Sequence, residues 1–297
     1  MENLTDEKIK TLKLLATKIR ISIIEMLTEA KSGHTAGPLD MADVFAVLYF
    51  HQLNHNPKEP FWEGRDRLVL SAGHICPVLY SAMAHSGYFP VPELLTLRKF
   101  GSRLQGHPHR EFLPMVETSS GPLGSGLSQA VGMAIAENMD HGKNSGKFFY
   151  CVMGDGEHDE GNIWEAVMLA GKEKLGNLIG IVDRNHIQID GNTEDILPLG
   201  DMVKKYEEFG WHAEEVDGHN VEDINNAINR AKAIPDKPSC IIARTIASKG
   251  VTPFEYDYRW HGNPPGSGPT DKVAKDKQTE VALEELKTFY KLVEEGK

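Results

Sequence analysis

Between residues 147 and 246 the chain repeats one pattern: a short strand-like run stops abruptly at a turn rich in Gly, Asp or Asn, and a stretch with helical spacing follows. The runs are "KFFYCVM", "NLIGIVD", "HAEEVD" and "SCIIARTI", with helices expected over 161–174, 201–209 and 221–233 between them. Parallel neighbours cannot be joined by a hairpin, so such alternation predicts an α/β fold: a doubly wound parallel sheet with helices on both faces. "DRLVLS" adds an earlier strand ending at "AGH". Apolar spacing (Ile9, Leu12, Leu15, Ile19, Ile23, Met26, Leu27) predicts a helix over 6–30, and further helices are expected over 39–50, 77–89, 91–100 and 126–140. Residues 101–126 form a Gly/Pro/Ser-rich loop too long for a mere connection, which points to function. The expected organisation is one α/β domain over 1–270, followed by a surface helical tail over 271–297.

Ligands of parallel sheets bind beyond the carboxyl ends of the strands. Three turns fall there: "SAGH", "GDG" and "DRN". The "GDG" turn has the shape of a phosphate site, with Gly154 and Gly156 flanking Asp155, yet Glu157, Asp159 and Glu160 follow and no lysine does. A P-loop requires G-x-x-x-x-G-K-[ST], which is absent; a dinucleotide fingerprint requires a third Gly where Asp159 stands. A divalent cation resolves the contradiction, because Mg²⁺ takes a few protein oxygens and completes its octahedron with substrate phosphate. Asp155 offers a carboxylate, Asn185 an amide and Ile187 a backbone carbonyl. Asp155 and Asn185 are thirty residues apart, one strand–helix–strand unit, which sets the two strand ends side by side.

The net charge of −11 argues against binding nucleic acid or an acidic membrane through a basic face. Cys76, Cys151 and Cys240 are odd in number and far apart, so a reducing, cytoplasmic setting is expected. The charged N-terminus reads as no signal peptide, and no apolar run reaches the length of a membrane span. Among 13 histidines, His34, His74, His107 and His261 each stand in a Gly/Pro-rich turn that no helix face explains. Neutral imidazoles there suit hydroxyls and a carbonyl oxygen. His51, His55, His85, His141, His186, His212 and His219 are read as structural, and His109 and His158 are left unassigned.

"GDGEHDEGNIWEAVMLAGKEKLGNLIGIVDRN" resembles the thiamine diphosphate motif, GDG followed about thirty residues later by an Asn, and "EGNIWEA…LAGKEKLGNLI…DRN…IDG" is most similar to the transketolases. The resemblance continues in "KSGHTAGPLDMADV", "DRLVLSAGHICPVLYS", "GSRLQGHPH", "TSSGPLGSGLSQAVGMAIA" and "WHGNPP", in order along most of the chain. It departs at Arg184, where the family usually has Asn or Asp. The resemblance implies thiamine diphosphate held through Mg²⁺ by Asp155, Asn185 and Ile187, with Gly154 and Gly156 at the turn and the backbone of Gly121, Pro122 and Leu123 facing the cofactor. It implies active-site roles for His34, His74, His107 and His261, with His74 and His261 also near the cofactor. It places Arg98 on the substrate, and Glu160, with Glu165 less firmly, at an interface between active sites. Asp155 and Glu160 also have the plainer reading of helix N-terminal acids.

Transketolases carry the glutamate that activates the cofactor ring, the pyrimidine pocket and most sugar-phosphate arginines on a second α/β domain, and no second strand–helix series follows His261 here. The resemblance therefore implies a split transketolase, in which a separate C-terminal subunit completes the site in an α2β2 assembly and a two-carbon ketol unit passes between sugar phosphates. The alternatives are the α subunit of a 2-oxo acid dehydrogenase, another synthase of the superfamily, a plain dinucleotide-binding protein and a non-catalytic partner-binding remnant.

Overall fold

The computed structural model describes residues 4–143 and 145–296. Seven strands are present among the described residues: β1 (Arg67–Leu70), β2 (Phe149–Gly154), β3 (Leu178–Arg184), β4 (Ile187–Gln188), β5 (Gly191–Asn192), β6 (His212–Asp217) and β7 (Ser239–Arg244). Ten α-helices accompany them: α1 (Asp6–Ala30), α2 (Ala36–Asp40), α3 (Ala42–Val47), α4 (Cys76–Ser86), α5 (Ser125–His141), α6 (Gly161–Glu173), α7 (Thr193–Ile196), α8 (Met202–Glu208), α9 (Val221–Lys232) and α10 (Gln278–Glu294). Five strands form one sheet in the order β1-β2-β3-β7-β6, every neighbouring pair parallel. β4 and β5 are a separate antiparallel hairpin.

Central parallel strands are covered on both faces and so read as unbroken apolar runs; every residue of β3 is buried. Alternation of side chains divides them between two cores. Val152, Ile179, Ile181 and Ile241 meet Ile19, Phe45, Val78 and Ile228 of α1, α3, α4 and α9. Cys151, Val182 and Ile242 meet Leu127, Val167 and Tyr206 of α5, α6 and α8. This is the expected doubly wound α/β architecture. The three cysteines are buried and free, and no helix among the described residues is long and apolar enough to cross a membrane.

α1 follows its pattern: Thr5 caps it by accepting from Lys8 N–H, Asp6 and Glu7 occupy its first turn, and Lys31 ends it at φ 53°. α10 lies against α1 with Ala282 and Leu286 buried in the first core, and Lys10 Nζ donates to the carbonyl of Glu294 at 2.6 Å. Two expected helices differ. The helix expected over 39–50 is α2 and α3, broken at Met41 (ψ 3°), with a wider turn over Leu48–Gln52. The helix expected over 91–100 is a short 3-10 stretch, Val91–Thr96. Arg98, at φ 59°, ends any helical continuation and turns the chain into the long loop.

At the carboxyl edge the backbone approaches closely. Gly126, in the first turn of α5, leaves no room for a Cβ, which would lie 2.5 Å from the Ser71 side chain; its N–H donates to Ser71 Oγ at 3.1 Å. Gly124 takes φ 82°, and a Cβ there would fall 1.8 Å from Asn162 Oδ1. A side chain at Gly126 would force α5 away from the turn after β1, and at Gly124 the left-handed φ itself favours glycine.

Candidate active site

A cavity of about 520 Å³ opens beyond the carboxyl ends of β1, β2 and β3. The turn after β1 delivers His74, the turn after β2 Asp155, and the end of β3 Asn185 and Ile187. The loop after α1 adds His34, the long loop His107 and Gly121, and the segment after Tyr258–Trp260 adds His261.

Register brings the acidic turn and the Asn together: Gly154 pairs with Asp183, and Asp155 N–H donates to the carbonyl of Asp183 at 3.0 Å. The Asp155 carboxylate is buried and held from several sides. Oδ1 accepts from Gly156 N–H at 2.7 Å, and Oδ2 accepts from His186 N–H at 2.8 Å and Arg184 Nη1 at 3.1 Å. Burial pushes its pKa up, against the pull of the Arg184 charge and the amide donors, to about 6.

Asn185 uses both amide hydrogens on carboxylates behind it: Nδ2 donates to Asp40 Oδ2 at 2.9 Å and Asp183 Oδ2 at 3.0 Å. Only Oδ1, which accepts from Ile187 N–H at 3.0 Å, remains as a ligand. Burial pushes both carboxyls up, and repulsion from Asp183 adds to the shift at Asp40. Thr245 Oγ1 donates to Asp183, and Ser248 N–H donates to Asp40 at 2.6 Å.

Glu157, two residues beyond Asp155, faces inward. Its carboxylate accepts from Ser71 Oγ, from Gly124 N–H at 2.6 Å and from Gly154 N–H at 3.1 Å. One buried side chain thus ties the β1 turn, the 121–124 loop and the β2 turn together.

Three imidazoles form a closed triangle, with ring centroids 4.9 Å (His34–His74), 5.2 Å (His74–His261) and 5.5 Å (His34–His261) apart. Burial and its charged or titratable neighbours lower His34 to about 3; burial lowers His261 to about 4 and His74 well below the usual value. All three are neutral at pH 7. His34 Nδ1 and His261 Nδ1 are buried without a hydrogen-bond partner, and so is Gln188 Oε1. Unsatisfied buried atoms at a cavity mark where a ligand's polar groups fit. Oxygen donors and unpartnered neutral imidazoles lining one cavity suit a metal-bound anion joined to a hydroxylated, carbonyl-bearing molecule.

The structure gathers most residues singled out in the sequence. His34, His74, His107, Gly121, Leu123, Gly154, Asp155, Gly156, Glu160, Asn185, Ile187 and His261 line this one cavity, with His107 exposed at its mouth. Three lie outside its wall. The carbonyl of Pro122 accepts from Ser125 Oγ at 2.7 Å. Arg98 donates to Ser32 Oγ at 3.0 Å and to the Gly106 carbonyl at 3.3 Å, near His107 and His34. Glu165 is exposed on α6. His158 is structural: it is buried and bonds the Gly154 carbonyl and Tyr206 Oη, each at 2.8 Å. The sequence does not mark Glu157 or Asp40 as site residues. Glu157 has the pattern of one more helix-start acid, and Asp40 is 145 residues from the Asn it orients.

Residues 11–290 match the family described as transketolase, thiamine diphosphate binding domain. The chain belongs to the transketolase family. It is 44% identical over 237 residues to the 6-deoxy-6-sulfo-D-fructose transketolase subunit SqwG of Clostridium sp. (strain MSTE9), covering 80% of this chain and 85% of that one. It is 37% identical over 269 residues to an apulose-4-phosphate transketolase subunit of Phocaeicola vulgatus, covering 91% and 94%. The transketolase of Pichia stipitis, solved with sedoheptulose-7-phosphate, superposes with a TM-score of 0.82 at 30% identity, over 96% of this chain and 45% of that one. The chain spans 43% of longer curated transketolases that it matches. It thus carries the transketolase thiamine diphosphate-binding domain.

Proposed function

We propose that this chain is the diphosphate-binding subunit of a split, Mg²⁺-dependent transketolase that moves a two-carbon ketol unit from a ketose phosphate to an aldose phosphate. One observation carries the reading: a single cavity sets three oxygen donors (Asp155, Asn185, Ile187) against three neutral imidazoles, two with unpartnered ring nitrogens. Two relatives of nearly the same extent are themselves named as transketolase subunits, which supports a partner chain. In this reading residues 1–270 hold the site, and the segment 271–297 braces α1.

Asp155, Asn185 and the Ile187 carbonyl would hold Mg²⁺, which would neutralise the diphosphate of the cofactor there. Gly154, Gly156 and the Gly121–Leu123 backbone let that group approach closely. Thiamine diphosphate, when bound, supplies the centre that accepts the electron pair as the bond beside the ketose carbonyl breaks. His74 and His107 hydrogen-bond the two-carbon fragment. His34 and His261 would hydrogen-bond the acceptor carbonyl or hydroxyl, and burial keeps both imidazoles neutral, so each can donate or accept there. Arg98, at the mouth, reaches the substrate's outer end. Glu160, exposed on the cavity rim, faces a second active site across the interface.

The partner supplies the glutamate for the cofactor ring, the pyrimidine pocket and most phosphate contacts, in an α2β2 assembly with closed symmetry. Most phosphate contacts lie on the partner in this reading, so the choice of sugar falls to its side of the cleft as well; the two shorter relatives are named for different sugars. Pentose phosphates are the family default, and the setting is the cytoplasm.

The test is isolation of this chain from its native cells, followed by assay of what accompanies it. A single partner with a second α/β domain, and ketol transfer without CO₂ release, is expected. A chain that purifies alone, or a complex that releases CO₂ from 2-oxo acids, would overturn the assignment.

A further inference from the structure

Arg184 departs from the family pattern, and the structure gives it a role that pattern does not contain. It is the last residue of β3, and strand alternation turns it to the face opposite Asp183. The side chain is only 8% exposed. Nη1 donates to Asp155 Oδ2 and to Thr193 Oγ1, each at 3.1 Å, and Nη2 donates to Glu194 Oε1 at 2.5 Å. The guanidinium is not part of the cavity wall but stands behind Asp155, and no Lys or Arg is among the lining residues.

Its contribution to Asp155 is charge more than position. Two backbone donors already hold that carboxylate, Gly156 N–H on Oδ1 and His186 N–H on Oδ2. Neither depends on Arg184, so a neutral side chain of similar length leaves the carboxylate in place. What it removes is a fixed positive charge next to a metal ligand. Such a charge disfavours a lone divalent cation and favours a multiply charged anion. Glu194, on α7 with its side chain 42% exposed, offsets part of it.

We propose that Arg184 is a fixed counter-charge that weakens capture of free divalent cations at Asp155 and favours their uptake together with a diphosphate. It acts through the charge it sets beside Asp155 and is not a catalytic residue. The inference rests on Asp155 being the metal ligand, and the experiment separates the two. Mn²⁺ alone, and pyrophosphate in saturating Mg²⁺, are titrated into the full chain and into Arg184→Gln, Glu194→Gln and Asp155→Ala, with electron paramagnetic resonance reporting Mn²⁺ and calorimetry pyrophosphate.

Arg184→Gln is expected to bind Mn²⁺ alone about tenfold more tightly and pyrophosphate several-fold more weakly. Glu194→Gln, which leaves Asp155 as the guanidinium's remaining carboxylate partner, is expected to shift both the other way, by about threefold. A merely structural role would weaken both ligands in both variants. If Arg184→Gln leaves Mn²⁺ binding unchanged or weaker while Asp155→Ala abolishes it, the counter-charge is refuted and the metal site stands. If Arg184→Gln does not fold, an unchanged Glu194→Gln refutes the proposal by itself. If Asp155→Ala binds both probes normally, the metal assignment and the counter-charge fall together.

Discussion

Removing the Glu157 carboxylate loosens three walls of the cavity at once. The side chain is 3% exposed and accepts from Ser71 Oγ, Gly124 N–H and Gly154 N–H. Hydrogen bonds to a charged group contribute about 1.5–3 kcal/mol each, and a buried amide left unpaired costs about 1–3 kcal/mol. Against this stands the desolvation of the carboxyl itself, which raises its pKa and is relieved by substitution. The net loss for Glu157→Ala comes to about 3 kcal/mol. Glu157→Gln keeps one acceptor oxygen but turns an NH₂ toward a donor, so about 2 kcal/mol is expected. With a urea slope of about 3 kcal/mol/M for a chain of this size, the midpoint of Glu157→Ala should fall by about 1 M. Gly154 and the neighbours of Gly124, Gly121 and Leu123, line the cavity proposed to take the diphosphate, so thiamine diphosphate binding in Mg²⁺, followed by calorimetry, should weaken about tenfold. A Glu157→Ala protein with unchanged urea midpoint and unchanged cofactor affinity would refute the reasoning.

Other parts of the molecule give equally definite expectations. Asp43 is buried, which raises its pKa, but the Arg20 charge and His219 pull it down to about 2 from 3.8. A depressed carboxyl stabilises the fold above its unfolded pKa and loses that contribution as pH falls, so about 2 kcal/mol should disappear between pH 4 and pH 2. Asp43→Asn should abolish that acid limb in denaturation curves taken across pH; an identical limb in the variant would contradict the assignment. Asn185→Asp sets a third carboxyl against Asp40 and Asp183 and removes both amide donors, which should cost about 3 kcal/mol without metal, partly recovered in Mg²⁺. Equal stability of variant and parent in chelator would argue against this network. His261→Ala should lower ketol-transfer kcat/KM in the complex by about 10²–10⁴ while changing cofactor affinity only a few-fold; a comparable loss in both would recast His261 as a cofactor ligand alone.

The architecture is legible in the sequence because its signals are local. β2, β3 and β7 are continuous apolar runs that parallel burial on both faces demands, and α1 repeats its apolar residues at helical spacing. The short 3-10 stretch at Val91–Thr96 mimics a longer helix because its apolar spacing matches one, while the deciding fact is the left-handed turn at Arg98. α10 reads as a charged surface helix, and its narrow apolar stripe, Ala282 and Leu286, is what docks it on the core. At the site, His34, His74 and His261 are legible one at a time, each in a turn with no helical role. That they meet within 4.9–5.5 Å follows from the sheet order, which composition does not reveal. Glu157 and Asp40 are illegible because their meaning is entirely tertiary: each is defined by donors brought from other segments. Arg184 is visible as a departure from pattern, and its contact with Asp155 emerges only from the strand end.

In the proposed function the acidic turn binds diphosphate through a metal rather than directly. The most direct measurement is thermal stabilisation of the purified chain by millimolar thiamine diphosphate, with Mg²⁺ and with chelator, in the parent and in Asp155→Ala. Binding to the folded state alone stabilises by RT ln(1 + [L]/Kd), so the parent should gain several degrees only when cofactor and Mg²⁺ are both present, and Asp155→Ala should gain nothing. Equal stabilisation of the parent in chelator, or of Asp155→Ala in Mg²⁺, would contradict the account.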